Sequence, residues 1–484
     1  IDAAYGDSVI RDGNTVQRLS ITSTNVGDMS LGDCYTNLME NAANLQHFIA
    51  ESALDSDIHM GRVGTWKGAT DLESIKLSVG VSSEMTSHGF EAYNWYTNNG
   101  ATVNSVDINV LNSGELHLMG DGESAVVPTF SLLDTSTSYM ANPYCPGPWL
   151  EAASLNAMNV NVAQGGFVDG GMNGLVGLDL GAQAAGSQLN VSGEGSVTGF
   201  AFLNDNVSTI DATGLKGSGL VVAMLDEANA SGFTFKGSEQ GDRVYASDSA
   251  DVLYGNGGND VIRARDGNDI VDGGAGDDLL YGGAGNDTIN GGDGDDFIAG
   301  DSGADVLTGG AGQDAFYFYF GDDGATDAGK STNPGAANKQ DIITDFTFGE
   351  DTLYIDIEDR NNGYFNESAA SSWSPDGQNS SYAMYVTNMP GANPISSGGY
   401  IGNNLDPIHV LVRVGTYNEN GTFNYNVNGD DLQFLFNSNG AAFNPADALL
   451  NNGNVGFSTA VHEVALLGAA SELGSLSVSD LVWV

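Results

Sequence analysis

Between residues 237 and 317 the chain divides without insertion into nine nonapeptides: GSEQGDRVY, ASDSADVLY, GNGGNDVIR, ARDGNDIVD, GGAGDDLLY, GGAGNDTIN, GGDGDDFIA, GDSGADVLT and GGAGQDAFY. The sixth position is always aspartate: Asp242, Asp251, Asp260, Asp269, Asp278, Asp287, Asp296, Asp305 and Asp314. The eighth is always large and apolar, from Val244 through Leu253, Ile262, Val271, Leu280, Ile289, Ile298 and Leu307 to Phe316. Carboxylate and carbonyl oxygens are the ligands that hard divalent cations prefer. Glycines at positions one, two and four let the chain turn tightly, so that carbonyls converge beside the carboxylate. The chemistry encoded is therefore cation binding. Aligned carboxylates about 5 Å apart repel strongly unless a cation lies between them, which argues against a merely solvated acidic loop.

The remaining positions supply the scaffold. The last three residues of each unit form a short strand whose central side chain points inward. A single strand cannot bury that side chain, so units must stack as a solenoid. Two units make one 18-residue coil with a turn on either side, and equivalent loops then lie two units apart, at about the 4.8 Å spacing of paired strands.

The run GGAGDDLLYGGAGNDTINGGDGDD resembles the RTX (repeats-in-toxin) calcium-binding β-roll of proteins exported by bacterial type I secretion. The resemblance implies Ca²⁺ held between loops two repeats apart. One loop offers the carbonyls of positions two and four with its aspartate; the other offers those of positions one and three with its own. Carried over, one ion lies among Asn256, Gly258, Asp260, Gly273, Ala275 and Asp278, and another among Arg265, Gly267, Asp269, Gly282, Ala284 and Asp287. The next sets are Gly274, Gly276 and Asp278 with Gly291, Asp293 and Asp296; Gly283, Gly285 and Asp287 with Gly300, Ser302 and Asp305; and Gly292, Gly294 and Asp296 with Gly309, Ala311 and Asp314. The first two repeats carry Ser, Glu and Gln where glycine is expected, which sets Asp242 and Asp251 apart.

Extracellular calcium modules bind with Kd of roughly 10⁻⁴–10⁻³ M. At about ten times Kd each site contributes roughly 1.4 kcal/mol, and five or six sites about 7–8 kcal/mol. That equals the stability of an ordinary domain, about 5–15 kcal/mol. Inside a cell, with calcium far below Kd, only self-repulsion remains. The chain is thus expected to stay unfolded inside and to fold outside.

Downstream, Ala315–Phe320 is an apolar run expected to close the open end of the roll. Asp341-Ile-Ile-Thr-Asp345-Phe346 and Gly349-Glu-Asp351-Thr-Leu-Tyr-Ile355 resemble the segment that caps RTX rolls in secreted serralysin-type proteases. Alternating segments at Ile408–Val414, Phe423–Val427, Leu432–Phe436 and Val461–Leu467 read as strands of a β cap. Leu476–Val484 resembles an uncleaved C-terminal secretion signal, and no cleavable leader is expected in the sequence as numbered, unless the numbering starts after processing.

Upstream, Val160, Leu178, Leu189, Ile210, Val222, Phe233 and Val244 sit in short alternating strands separated by Gly, Asn and Ser, which suggests an irregular β-helix feeding the roll. Val207–Gly219 resembles the strands that precede RTX blocks in bacterial surface-layer proteins and adhesins. Ile75-Leu77-Val79 and Val106-Ile108-Val110 alternate as strands. Tyr35–Leu54, with Leu38, Ala42, Leu45 and Ile49 at helical spacing, is expected to form an amphipathic helix. Trp95 with Tyr93 and Tyr96 is read as strand packing, with stacking on a sugar as the alternative. Cys34 and Cys145 could form one bridge in an extracellular protein.

The fold class expected is all-β: a parallel β-helix leading into the β-roll, with a β-rich N-terminal domain containing a short helix and a β-rich C-terminal cap. The expected domains are 1–150, 151–236, 237–317 and 318–484.

Composition narrows function. The chain has 63 Asp+Glu against 14 Lys+Arg, a formal charge of −49, which leaves too few cations to neutralise nucleic-acid phosphates. No apolar stretch reaches the roughly 18 residues of a membrane helix. With 41% hydrophobic residues the chain is not of disordered composition. Neither an H-E-x-x-H nor a G-x-S-x-G motif occurs, so protease activity does not carry over and no catalytic residue is assigned. His47, His59, His88, His117, His409 and His462 show no metal-ligand spacing.

The function expected is a secreted, calcium-dependent, self-assembling surface protein: a surface-layer, filament or adhesin subunit and not an enzyme. Its partners are copies of itself, the type I secretion apparatus during export, and cell-surface polysaccharide as a further candidate. The alternative is a polysaccharide-active lyase, epimerase or hydrolase with an RTX export domain.

Overall fold

The computed structural model describes Ile10 and residues 15–23, 29–31, 37–65, 68–94, 99–119, 148–170, 174–180, 186–204, 207–224, 232–319, 341–356, 383–386, 399–401, 408–417, 423–425, 430–437, 461–469 and 480–483. Cys34, Cys145, Trp95 and Tyr96 lie outside these residues. Two compact units divide at Ile262/Arg263, inside the nonapeptide run rather than at 150 or 236.

The first unit is a parallel β-helix built from short strands that bury alternate side chains. One face stacks Arg18–Thr22, His47–Glu51, Ser74–Val79, Thr102–Val110, Ser154–Val162, Ser187–Gly193, Val207–Leu215, Thr234–Lys236 and Val252–Gly257. A second stacks Met29–Leu31, Ile58–Met60, Glu84–Ser87, Glu115–Leu118, Phe167–Gly170 and Ser196–Val197. The third runs from Met39–Glu40 through Val63–Thr65, Phe90–Asn94, Leu150–Ala152, Val176–Leu180, Gly199–Asn204 and Val221–Met224 to Arg243–Tyr245. Residues pair 27 apart at His47↔Ser74 and 31 apart at Ser74↔Ser105. Once the second face ends at Val197, a coil needs fewer residues, and Thr234 pairs with Val252 only 18 further on.

The ladder passes residue 150 unbroken, because Thr102–Val110 pairs with Ser154–Val162. Residues 37–118 are therefore coils of the same helix, not a separate β domain. The expected strands at Ile75–Val79 and Val106–Val110 are neighbours in register, Ile75 opposite Val106. Side chains from all three faces fill the axis. Trp149 is fully buried, its ring 5.5 Å from Phe90 in an edge-on contact and its Nε1 donating to Ser87 Oγ at 3.2 Å.

The helix expected over Tyr35–Leu54 is not formed. Residues 37–54 hold the strands Met39–Glu40 and His47–Glu51, and Asn41 takes a left-handed conformation that interrupts any helix. Leu38, Ala42 and Leu45 are buried as the helical spacing required, but so are Phe48 and Ala50, on the period of two of a strand. Parallel partners on both sides, Arg18–Thr22 and Ser74–Val79, supply backbone bonds that outweigh local helical preference.

In the second unit two parallel stacks face each other. One contains Ile270–Ala275, Thr288–Asp293, Val306–Ala311, Asp341–Ile343 and Val461–Leu466. The other contains Leu279–Gly285, Phe297–Gly303, Ala315–Tyr319, Thr352–Asp356 and Leu481–Trp483. Ala315–Tyr319 does not close the roll as expected: Thr352–Asp356 stacks on it, and Leu481–Trp483 on that in turn. Ile408–Tyr417, Asp431–Asn437 and Val461–Leu466 pair antiparallel, forming the anticipated β cap.

Candidate metal centre

All nine position-eight side chains are buried, and so are all nine position-six aspartates. Burying nine carboxylates is costly unless each is bonded and compensated. Half of that requirement is met by the backbone. Asp287 Oδ1 accepts the N–H of Asp269 at 2.8 Å, and Asp296 Oδ1 that of Asp278 at 2.9 Å. Asp305 Oδ1 accepts the N–H of Asp287 at 2.8 Å, and Asp314 Oδ1 that of Asp296 at 3.0 Å. Each aspartate thus ties its coil to the preceding one, 18 residues back.

The other carboxylate oxygen has a different fate. Oδ2 of Asp287, Asp296 and Asp305 is buried and accepts no hydrogen bond. It lies against the first glycine of its own repeat. A Cβ at Gly273, Gly282 or Gly291 would collide with Oδ2 of Asp278, Asp287 or Asp296, and also with the carbonyl of Gly291, Gly300 or Gly309 on the next coil. These gaps are lined by oxygen, and each pairs two atoms of an expected ion site.

Carbonyls at positions two and four complete the pattern. Those of Arg265, Gly267, Gly274, Gly276, Gly292 and Gly294 face Gly283, Gly285, Gly292, Gly294, Gly310 and Gly312 of the following coil, where any Cβ would strike them. Position two has positive φ throughout this stretch. Glycine fills most of these positions, but Asn256, Arg265 and Asp301 adopt the same conformation at φ of 74°, 76° and 61°.

Strands here are longer than the three residues expected, because the turns themselves pair: Gly274 with Gly292, Gly283 with Asp301, and Gly292 with Gly310. Position-three carbonyls of Ala284, Asp293 and Ala311 accept the N–H of Gly267, Gly276 and Gly294 at 2.7, 2.7 and 2.8 Å. A carbonyl has two lone pairs, so this leaves one for a cation.

Asn256, Gly258 and Asp260 lie in the first unit, whereas Gly273, Ala275 and Asp278, their partners by resemblance, lie in the second. Asn256 Nδ2 donates to the Gly237 carbonyl at 2.8 Å, and Asp260 Oδ1 accepts the N–H of Asp242 at 2.6 Å. Asp242 and Asp251 join the ladder despite their irregular repeats. Each accepts the N–H of the serine that stands at position two, Ser238 at 2.7 Å and Ser247 at 2.9 Å.

The ladder also outruns the repeats. Asp341 Oδ1 accepts the N–H of Asp305 at 2.9 Å, and Asp351 Oδ1 that of Asp314 at 3.0 Å. Asp345 receives the N–H groups of Gly309 and Gly310 at 3.0 and 2.9 Å. These roles lie 36 and 37 residues on, beyond the nine-residue frame. A second series outside the expected ligand sets runs at position five, where Asn268, Asp277, Asn286 and Asp295 each cap a backbone N–H of the next coil at 2.8–3.0 Å. Its signal was the recurrence of Asn and Asp before the invariant aspartate.

Electrostatics follow from burial. It pushes Asp287 up to about 6, and Asp296 and Asp314 up to about 7, with neighbouring aspartates adding to the rise for the latter two. Asp305 and Asp341, buried side by side, are both raised. Donated backbone N–H groups oppose the shift without cancelling it. Such carboxylates are poor isolated anions and good ligands.

An acidic oxygen-lined roll of this kind is a calcium-binding β-roll. Residues 236–271, 263–298 and 290–325 match the family model of the RTX calcium-binding nonapeptide repeat (4 copies). The segment 236–325 therefore consists of RTX repeats, which bind Ca²⁺ and are typical of secreted proteins. No curated protein matches the chain. When bound, Ca²⁺ supplies the positive charge that the buried Oδ2 atoms and convergent carbonyls require. Among the described residues no helix is long and apolar enough to cross a membrane.

Proposed function

We propose that this protein is a structural subunit of a bacterial cell surface, exported in an unfolded state, folded by extracellular calcium and assembled with copies of itself. The observation that carries this reading is the pair of buried aspartate ladders, whose Oδ2 atoms have no internal partner at Asp287, Asp296 and Asp305. Folding linked to millimolar calcium is useful only where calcium changes between compartments, and export provides that change.

Self-assembly is supported by the surface of the first unit. On its longest face Asn159 bridges Asp107 and Asn190 at 2.8 and 2.9 Å, and Asn161 bonds Asn109 at 3.0 Å, forming exposed polar ladders across successive strands. A chain of charge −49 repels its copies unless cations screen or bridge them, which makes assembly calcium-dependent as well. Cell-surface polysaccharide is the further partner proposed for this face.

Electron microscopy and light scattering of the purified chain in millimolar Ca²⁺ and in chelator test the reading. Ordered sheets or filaments that dissolve in chelator are expected. A monodisperse monomer under both conditions would reject it.

A secreted polysaccharide-active enzyme is the second reading. It is favoured by His117, which is bonded to Asp169 beside Glu84 and Glu115 on an exposed sheet face. Release of unsaturated or reducing sugar ends from acidic polysaccharides, abolished in His117→Ala, would establish it.

A further inference from the structure

We propose that Glu84, Glu115 and His117 form a binding site for a borderline divalent transition metal such as Zn²⁺, with Asp169 as the positioning residue of the imidazole. The site lies far in sequence from the calcium ladders and does not depend on the structural-subunit reading; its readout is metal binding, not the sugar release that tests the enzyme reading.

Three parallel strands build it. Glu84–Ser87, Glu115–Leu118 and Phe167–Gly170 are neighbours in register, Glu115 opposite Glu84 and His117 opposite Asp169. Met85, Leu116, Leu118 and Val168 are fully buried on the inner face, so the alternate residues Glu84, Glu115, His117 and Asp169 share the outer one. His117 Nδ1 bonds Asp169 Oδ1 at 2.6 Å. This turns Nε2 towards the two glutamates, 3.9 Å from Glu84 Oε1 and 3.9 Å from Glu115 Oε2. One ligand atom from each of the three residues lies within 4.8 Å of the others.

Like charges directly opposite one another on neighbouring strands destabilise a sheet. Glu84 and Glu115 are such a pair, with Asp169 as a third carboxylate one row on. Among the described residues only His117 forms an ion pair with either glutamate. A divalent ion between them converts the repulsion into attraction.

The donor set selects the ion. Ca²⁺ and Mg²⁺ take oxygen ligands, whereas imidazole with carboxylates suits Zn²⁺ and its neighbours. Zinc bonds of about 2.0–2.2 Å place tetrahedral donors roughly 3.4 Å apart, which small rotations of the two glutamates supply. Three protein ligands leave a fourth position to water. A carboxylate on the far nitrogen of a metal-binding imidazole, as Asp169 is here, fixes the ring and its tautomer.

The test is calorimetric titration of the full chain with Zn²⁺ in saturating millimolar Ca²⁺, which keeps the roll sites filled. One zinc per chain with micromolar or tighter Kd is expected, with X-ray absorption showing one imidazole nitrogen and oxygen neighbours. His117→Ala should weaken binding at least 100-fold. Asp169→Asn should weaken it about 10–100-fold while the stoichiometry and the calcium-dependent melting temperature stay unchanged. Should His117→Ala fold poorly, Glu115→Gln on the exposed surface gives the same reading. Zinc binding undiminished in Glu115→Gln and in a folded His117→Ala, or zinc displaced entirely by Ca²⁺, would overturn the proposal.

Discussion

Asp287 donates its backbone N–H to Oδ1 of Asp305 at 2.8 Å, and Oδ2 of Asp305 is left buried with no hydrogen-bond partner. One carboxylate thus divides two roles, a structural bond through one oxygen and, on the proposed reading, cation binding through the other. The two roles are separable by experiment.

Asn keeps Oδ1 as an acceptor and removes the charge, so Asp296→Asn should act with opposite signs in two solutions. In millimolar Ca²⁺ it should lower stability by about 1–3 kcal/mol, the linkage value of one or two sites. In chelator it should be neutral or stabilising, because a raised, buried carboxylate is removed. Paired thermal melts and a calcium titration of the variant measure both.

Stability should depend on pH in opposite directions with and without calcium. Asp287, raised to about 6, and Asp296 and Asp314, raised to about 7, hold protons in the folded chain that the unfolded chain has already released at that pH. The calcium-free roll is therefore most stable near pH 4 and loses stability as pH rises from about 4 to 8. With Ca²⁺ the ligands must be deprotonated, so affinity should fall as pH drops below about 7. Melting temperatures at pH 5 and pH 8, with and without Ca²⁺, should show the crossing.

Asp341 and Asp351 should behave as ladder members although neither belongs to a nonapeptide. Asp341→Ala removes the acceptor of the Asp305 N–H, and Asp351→Ala that of the Asp314 N–H. Each should cost about 1–3 kcal/mol, the penalty of a buried unsatisfied donor. Denaturant midpoints in saturating Ca²⁺, compared with the calcium affinity of each variant, separate this structural part from metal binding.

Position two offers a pair of substitutions with contrary outcomes. Arg265 sits at φ 76°, so Arg265→Gly should stabilise by up to about 1 kcal/mol while keeping the carbonyl in place. Gly283 sits at φ 100° with the Arg265 carbonyl where a Cβ would go, so Gly283→Ala should cost about 2–3 kcal/mol or more. Urea unfolding in Ca²⁺ compares the two.

Core filling makes the last prediction. Leu280 and Phe316 are fully buried, and Leu280→Ala or Phe316→Ala should cost about 3–5 kcal/mol. The number of Ca²⁺ ions bound by the folded variants should stay unchanged, which distinguishes packing from metal effects.

The calcium roll was legible from the residues alone because its period is local. A turn, a ligand and a core side chain recur within nine residues, so position six and position eight announce burial before any contact is known. What lay outside that frame was legible only in part. Asp341 and Asp351 reach their rungs only after 36 and 37 residues, so no repeat marks them. The helical spacing of Leu38, Ala42 and Leu45 described real burial but the wrong element, since pairing with distant strands decided the backbone. Glu84, His117 and Asp169 are scattered by coils of unequal length, 31 residues at one step and 52 at another, and only parallel register sets them side by side. Chemistry repeated at short range is written in the order of the chain; chemistry assembled across coils of variable length exists only once the coils have stacked.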